Sequence, residues 1–198
     1  MSVFIDIIGA AVIGVMVIMT ILFTIFNVQR MNYNVNTMLT LNTTANTLTE
    51  VIDMSYLEPV ARHLQPEQPA IILAQRDQFT FNRRHDNPPH NLQTYQLRML
   101  RNADDNIFLS VMRTEGGIAT EVFNSFPFFF ESGDVFTFFD LNGNVTTDTD
   151  LIRGVRVDLV FVADSFGRDD SRISYPITFW RHFKNIYLRS FTEIVDSV

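Results

Sequence analysis

The sequence predicts an α+β chain: one long N-terminal helix, half transmembrane and half amphipathic, packed on an antiparallel β-sheet domain. Three observations carry that expectation. Residues 7–26 form an apolar run without a charge, and 27–58 contain neither Pro nor Gly while apolar residues recur at helical spacing. Beyond Gln65, short runs of alternating apolar and polar residues are separated by turn signals. The expected organisation is 1–26 membrane or filament-core helix, 27–64 amphipathic helical stalk, and 65–198 β-rich globular domain.

In the first segment only Thr20 and Thr24 add side-chain polarity between Ile7 and Phe26. About 20 helical residues reach ~30 Å, the thickness of a bilayer hydrocarbon core. A cleavable signal peptide fits badly, because no basic segment precedes the run and no small-x-small site follows at 27–30. A soluble core helix of this length would carry a polar face. Asp6 is costly at the start of such a helix unless it reaches the head-group zone or finds a positive partner, such as a neighbouring subunit's amino terminus. Gly9, Ala10, Ala11 and Gly14 follow, and Ala10 with Gly14 forms a small-xxx-small pair suited to close helix contact. Arg30 and Asp6 give the positive-inside rule little to act on; the character of the C-terminal domain is what assigns it to the outside.

In the stalk, Val28, Met31, Val35, Met38, Ala45, Leu48 and Ile52 predict a narrow apolar seam, with Asn42 at its one polar position. Asn and Thr are mediocre helix formers, so this seam needs packing to persist. Asn42-Thr43-Thr44 matches a glycosylation triplet, a chance match in an Asn/Thr-rich stretch.

In the globular part, strands are expected at Phe79/Phe81, Tyr95/Leu97/Met99, Ile107/Leu109/Val111 and Val155/Val157/Leu159/Phe161. Turns are expected at 86–89, 103–106, 115–117 and Asn142-Gly143. Eight phenylalanines between Phe123 and Phe139 are expected mainly in the core, with an exposed docking patch as the alternative.

Composition narrows function. The net charge is −7 and the 15 basic residues are dispersed, so nucleic acid is not expected as the main partner. Cysteine is absent, which excludes disulfides, thiol nucleophiles and thiolate metal sites. No phosphate loop, nucleophile elbow or HExxH helix occurs, so no catalytic residue, metal or cofactor is expected and the chain is read as a non-enzyme. His85 and His90 flank Asp86 but read as a Pro-rich turn. Asp140–Asn144 has oxygen ligands at alternate positions without a closing Glu, and reads as a hairpin turn. Residues 164–170 read as a solvated loop.

An apolar helix near residue 1, an acidic residue just inside it and an amphipathic extension into a small β domain resemble the type IV pilin and pseudopilin superfamily. Phe4 and Asp6 stand where that family carries an aromatic and an acidic residue. Tyr95-Gln96-Leu97, 109–114, 138–144 and 152–159 resemble, in order, the YxL, LxR, F-x-D-x-x-G and IRxVxVxL segments of its larger minor members. The spacing fits best with Met1 removed. Asp6 replaces the usual Glu and no proline interrupts the membrane helix, leaving Gly14 as the position for a local break.

The resemblance implies a structural subunit of a type IV pilus-like or type II secretion pseudopilus-like filament. Its helix would lie in the inner membrane, with an extracytoplasmic domain, before joining an extracellular or periplasmic filament. Phe4, Asp6, Gly9, Ala10 and Gly14 would serve helix pairing, with further copies or other pilin-like subunits as partners. The alternative is a non-polymerising, membrane-anchored binding or adhesion domain.

Overall fold

The computed structural model describes residues 2–164 and 172–195. Its chain has an α+β architecture: a long N-terminal helix followed by a nine-stranded, largely antiparallel sheet. Two compact units are formed: Met1–Thr40 with Asp164–Ile173, and Leu41–Ala163 with Ser174–Val198.

Helix α1 runs from Ser2 to Glu50 and passes through Gly14 without a break. The expected local break is therefore corrected: one Gly costs a helix about 1 kcal/mol but keeps its backbone N–H, so unlike a proline it removes no hydrogen bond of the helix. After Glu50 the chain widens into a π-helical turn, Val51–Leu57, in which the Glu58 N–H donates to the Asp53 carbonyl at 2.8 Å. Pro59, which lacks an N–H, follows directly.

Within the second unit the buried face of α1 is Leu41 and Ala45, continued through the π turn by Ile52, Tyr56 and Leu57. Here the expected seam is corrected by one position. Leu41 is buried, whereas Asn42 is half-buried and accepts a hydrogen bond from the Asn46 side chain at 2.7 Å. A straight helix turns 3.6 residues per turn, so its apolar stripe drifts off a strict heptad. The other half of the seam, Val28, Met31, Val35 and Met38, is exposed.

The strands are β1 Ile71–Ala74, β2 Gln78–Arg84, β3 Leu92–Arg101, β4 Ile107–Glu115, β5 Ile118–Asn124, β6 Phe129–Phe130, β7 Phe136–Phe139, β8 Gly154–Asp164 and β9 Arg172–His182. A short helix, α2 Lys184–Val195, follows. The sheet order is β1-β2-β3-β4-β6-β8-β7, with β5 paired to β4 and β9 to β8. The two ends of that path meet, because the Arg76 carbonyl accepts hydrogen bonds from the N–H groups of Val135 and Phe136 at 2.8 and 2.9 Å. Near-closure of this kind leaves few free edges.

The four alternating runs lie in β2, β3, β4 and β8, and their apolar residues are buried. Phe79 sits at the centre of the core, with ring centroids of Phe138, Phe81 and Phe183 at 5.0, 5.2 and 5.7 Å. Such tilted and stacked pairs add to the area burial of each ring. The outer face of β2 is also covered: Asn82 donates from Nδ2 to the Pro69 carbonyl and accepts from Thr94 Oγ1, so the 65–70 segment lies over it. Of the eight phenylalanines in 123–139, Phe130, Phe136 and Phe138 are buried and Phe126 is exposed.

Candidate functional site

The N-terminal part of α1 is the feature with least intramolecular explanation. Every residue from 3 to 29 is exposed, and the helix is long and apolar enough to cross a bilayer. A soluble protein's core helix would pass the same length test while being buried; here none of the apolar window is. Apolar surface costs roughly 25 cal/mol per Å² in water, so water is a costly neighbour for this segment.

The polar atoms of the segment suit the same surroundings. Thr20 Oγ1 donates to the Met16 carbonyl and Thr24 Oγ1 to the Thr20 carbonyl, each at 2.8 Å. Both hydroxyls are thereby satisfied inside their own helix, which removes the penalty of an unpaired group in hydrocarbon. Asp6 is exposed and contributes the one carboxylate of the apolar segment.

Helical spacing sorts the expected assembly residues by face. Residues four apart lie on one row, so Asp6, Ala10 and Gly14 follow each other along the helix, with Gly9 beside them. A Cβ added at Gly9 or Gly14 would meet nothing within 4 Å, so both are open notches in the helix surface. Phe4 is 71 % exposed but, at about 100° per residue, points roughly 160° away from Asp6. Phe26 lies on the Phe4 side of the helix and Phe23 about 100° from either residue, whereas Thr20 and Thr24 share the Asp6 face. Ile13 and Val17 also stand on the Asp6 face, so its small and polar residues are interleaved with bulky ones. The five expected residues are not one cluster: four share a face and Phe4 belongs to the opposite one.

The other candidates resolve into structure. The Asp140 carboxylate accepts from the N–H groups of Asn142 and Asn144 at 2.8 Å and from Asn144 Nδ2 at 3.1 Å, closing a turn in which Gly143 has φ +82°. The Asn144 side chain, then its N–H, hold this carboxyl below its usual range. His85 Nδ1 accepts from the Asn87 N–H and His90 Nδ1 meets the His85 carbonyl, both within the β2–β3 connection. Among the described residues no group of three or more His, Asp or Glu is placed to hold a metal. Of the loop expected at 164–170, only Asp164 lies within the described residues.

Sequence reading missed the strongest polar contact. Arg181 of β9 donates from Nε and Nη2 to the two carboxylate oxygens of Asp53 in the π turn, 128 residues away. Both side chains are about four-fifths buried, and the Asp53 carboxylate raises the Arg181 pKa above its ordinary value. A second network also escaped notice. Arg83 donates to Tyr95 Oη, which donates to the buried Gln93; Gln93 in turn donates to Glu115. No local motif marks either, since each joins residues far apart in sequence.

Comparison with protein-family models, with curated proteins and with solved structures finds no match for this chain.

Proposed function

We propose that this protein is a structural subunit of a type IV pilus-like or type II secretion pseudopilus-like filament. In this reading α1 anchors the chain in the inner membrane as a single pass until assembly, and the sheet unit stays extracytoplasmic. The observation that carries the reading is the wholly exposed apolar stretch of α1, continuous with a segment whose far half is buried in a β-sheet. A lone anchor needs only bulk hydrophobicity. The row Asp6–Ala10–Gly14 with Gly9 adds a surface on which a second helix can approach closely. The segments that resemble the pilin family fall in β3, β4, β8 and the turn after β7, which agrees with the same reading.

In the assembled bundle Asp6 pairs with the amino terminus of a neighbouring subunit. A buried pair of this kind fixes register more than it adds stability, because desolvation offsets most of the attraction. Hydrophobic and van der Waals contact along the apolar stretch supplies the cohesion. The test is electron microscopy of sheared filaments from cells producing wild type or Asp6→Ala. Wild type is expected to yield filaments containing this chain, and the variant at least about tenfold fewer, with its sheet unit still folded; loss of a single charge pair of about 1.4 kcal/mol or more suffices for that factor. Full filament yield from the variant would remove the role of Asp6. Wild-type protein found only as single copies in the membrane would remove the filament.

A further inference from the structure

The outer faces of β7, β8 and β9 carry a second feature that the filament reading does not use. Thr137 and Phe139 of β7, Arg156 and Asp158 of β8, and Thr178 and Trp180 of β9 stand two apart on their strands, so each pair points to one side of the sheet. Thr137 is the register partner of Arg156. Asp158 accepts from Arg156 Nε and from Thr178 Oγ1, both at 2.8 Å. Asp158 therefore orients the guanidinium, whose terminal nitrogens donate to no acceptor among the described residues.

Beside this polar row lies a cavity of about 480 Å³, bounded by Arg156, Asp158, Thr137, Thr146, Thr147 and Gln75. That is within the range of small-ligand sites. It sits where the two ends of the sheet path meet, so its walls come from β7, β8 and the end of β1. An exposed pair, Arg76 and Asp134 at 3.8 Å, stands at the same cavity and leaves its charge balanced. The chain's one tryptophan is not part of that lining but stands beside Arg156, which is. Trp180 is 53 % exposed, its ring centroid 4.6 Å from that of Phe139, and the Arg156 guanidinium carbon stands over the ring, 5.5 Å from its centroid.

The combination is chemically specific. The exposed half of an indole accepts the apolar face of a pyranose ring. A guanidinium held by a carboxylate, with hydroxyls and an amide around it, offers both donors and acceptors for vicinal hydroxyls. We propose that this cavity and the Trp180 face form a saccharide-binding site. Arg156 and Asp158 recognise ring hydroxyls and Trp180 stacks on the sugar. A purely structural cross-strand cluster would account for the Phe139–Trp180 contact and the Arg156–Asp158 pair, but it requires neither the cavity nor the open guanidinium.

Because Trp180 is the sole tryptophan, its emission reports the site directly. The full-length protein, in micelles of a zwitterionic detergent without a sugar head group, would be titrated with the methyl glycosides of glucose, galactose, N-acetylglucosamine and glucuronic acid. A saturable change in emission with at least one of them, at millimolar midpoint, is expected. Arg156→Met, which keeps the aliphatic stem, should raise that midpoint at least about tenfold, as expected for lost charged hydrogen bonds. If that variant fails a circular-dichroism check of folding, Thr137→Val, which removes one hydroxyl and spares the ion pair, should raise the midpoint instead. A response to none of the four probes, one matched by glycerol, or one unchanged in the folded variant would overturn the proposal. The experiment does not depend on filament formation, so it fails or succeeds independently of that reading.

Discussion

Removing either member of the Asp53–Arg181 pair tests whether the π turn of the helix is locked onto β9 by charge. The two parallel N–H···O contacts form a bidentate fork, the strongest geometry for such a pair. Breaking a fully buried pair costs about 3–5 kcal/mol, because the remaining charge is left uncompensated. Here the side chains keep 18 % and 20 % of their exposure, so water recovers part of that loss and about 2–3 kcal/mol is expected for Arg181→Met or Asp53→Asn. The double variant should regain part of the loss, since two apolar or neutral groups leave no orphan charge. With a urea dependence of about 2 kcal/mol/M, each single variant shifts the unfolding midpoint down by about 1 M. Trp180 emission, adjacent to the pair in sequence, is the readout. The pH profile adds a sign. A raised Arg181 value means its contribution is fully present below the ordinary guanidinium range and is lost only as pH rises past the raised value. Alkaline titration short of that range should therefore leave the pair intact. Single variants within 0.5 kcal/mol of wild type, as for ordinary surface sites, would refute the reasoning.

Other expectations follow from the same structure. Phe79→Ala empties the centre of a ring cluster and should cost about 3–5 kcal/mol by chemical denaturation, enough to unfold a marginal domain. Gly143→Ala places a side chain at φ +82° with open space around it, so the cost is backbone strain alone, about 1 kcal/mol, read as a small drop in melting temperature. Glu115 is held below its ordinary value, chiefly by the Gln93 side chain and then by Asn91, and Asp140 likewise by Asn144. Both lowered values mean stabilisation present above the ordinary carboxylate range and lost as pH falls through the folded values. Glu115→Gln and Asp140→Asn should flatten the acid limb of a stability–pH curve.

Local patterns were legible where one residue's surroundings are set by its near neighbours. The runs at Phe79, Tyr95, Ile107 and Val155 gave strands because period-two alternation is a property of a single strand. Asn142-Gly143 gave a turn because the required positive φ is local. What stayed hidden was set at a distance. β9 alternates between half-buried and exposed residues on both sides of Pro176, so no wholly apolar face announces it. β5 is exposed along nearly all its length and is a strand only because β4 pairs with it. The seam slipped from Asn42 to Leu41 because a heptad is the wrong period for a straight helix that docks on a sheet. Among the site residues, the shared face of Asp6, Gly9, Ala10 and Gly14 followed from spacing alone, whereas the cavity beside Arg156 needed three strands and a loop to be brought together.

The division of α1 into a covered and an uncovered part has one further consequence. From Leu41 on, Leu41, Ala45, Ile52, Tyr56 and Leu57 are buried within the chain. From residue 3 to 29 every side chain is exposed, yet the helix continues without a break. An uncovered apolar helix in water would aggregate, and one in lipid would tolerate Leu or Phe at any position. Neither condition calls for Ala10 and Gly14 in a row with a carboxylate and Gly9 beside it, because glycine weakens an isolated helix by about 1 kcal/mol per residue. In the proposed filament, close approach of a second helix would repay that cost through backbone-to-backbone packing. Gly9→Leu or Gly14→Leu should therefore strengthen the free helix and weaken assembly at the same time. Filament yield that rises or holds with either substitution would assign the glycines to no contact at all, leaving lipid as the only neighbour this face was built for.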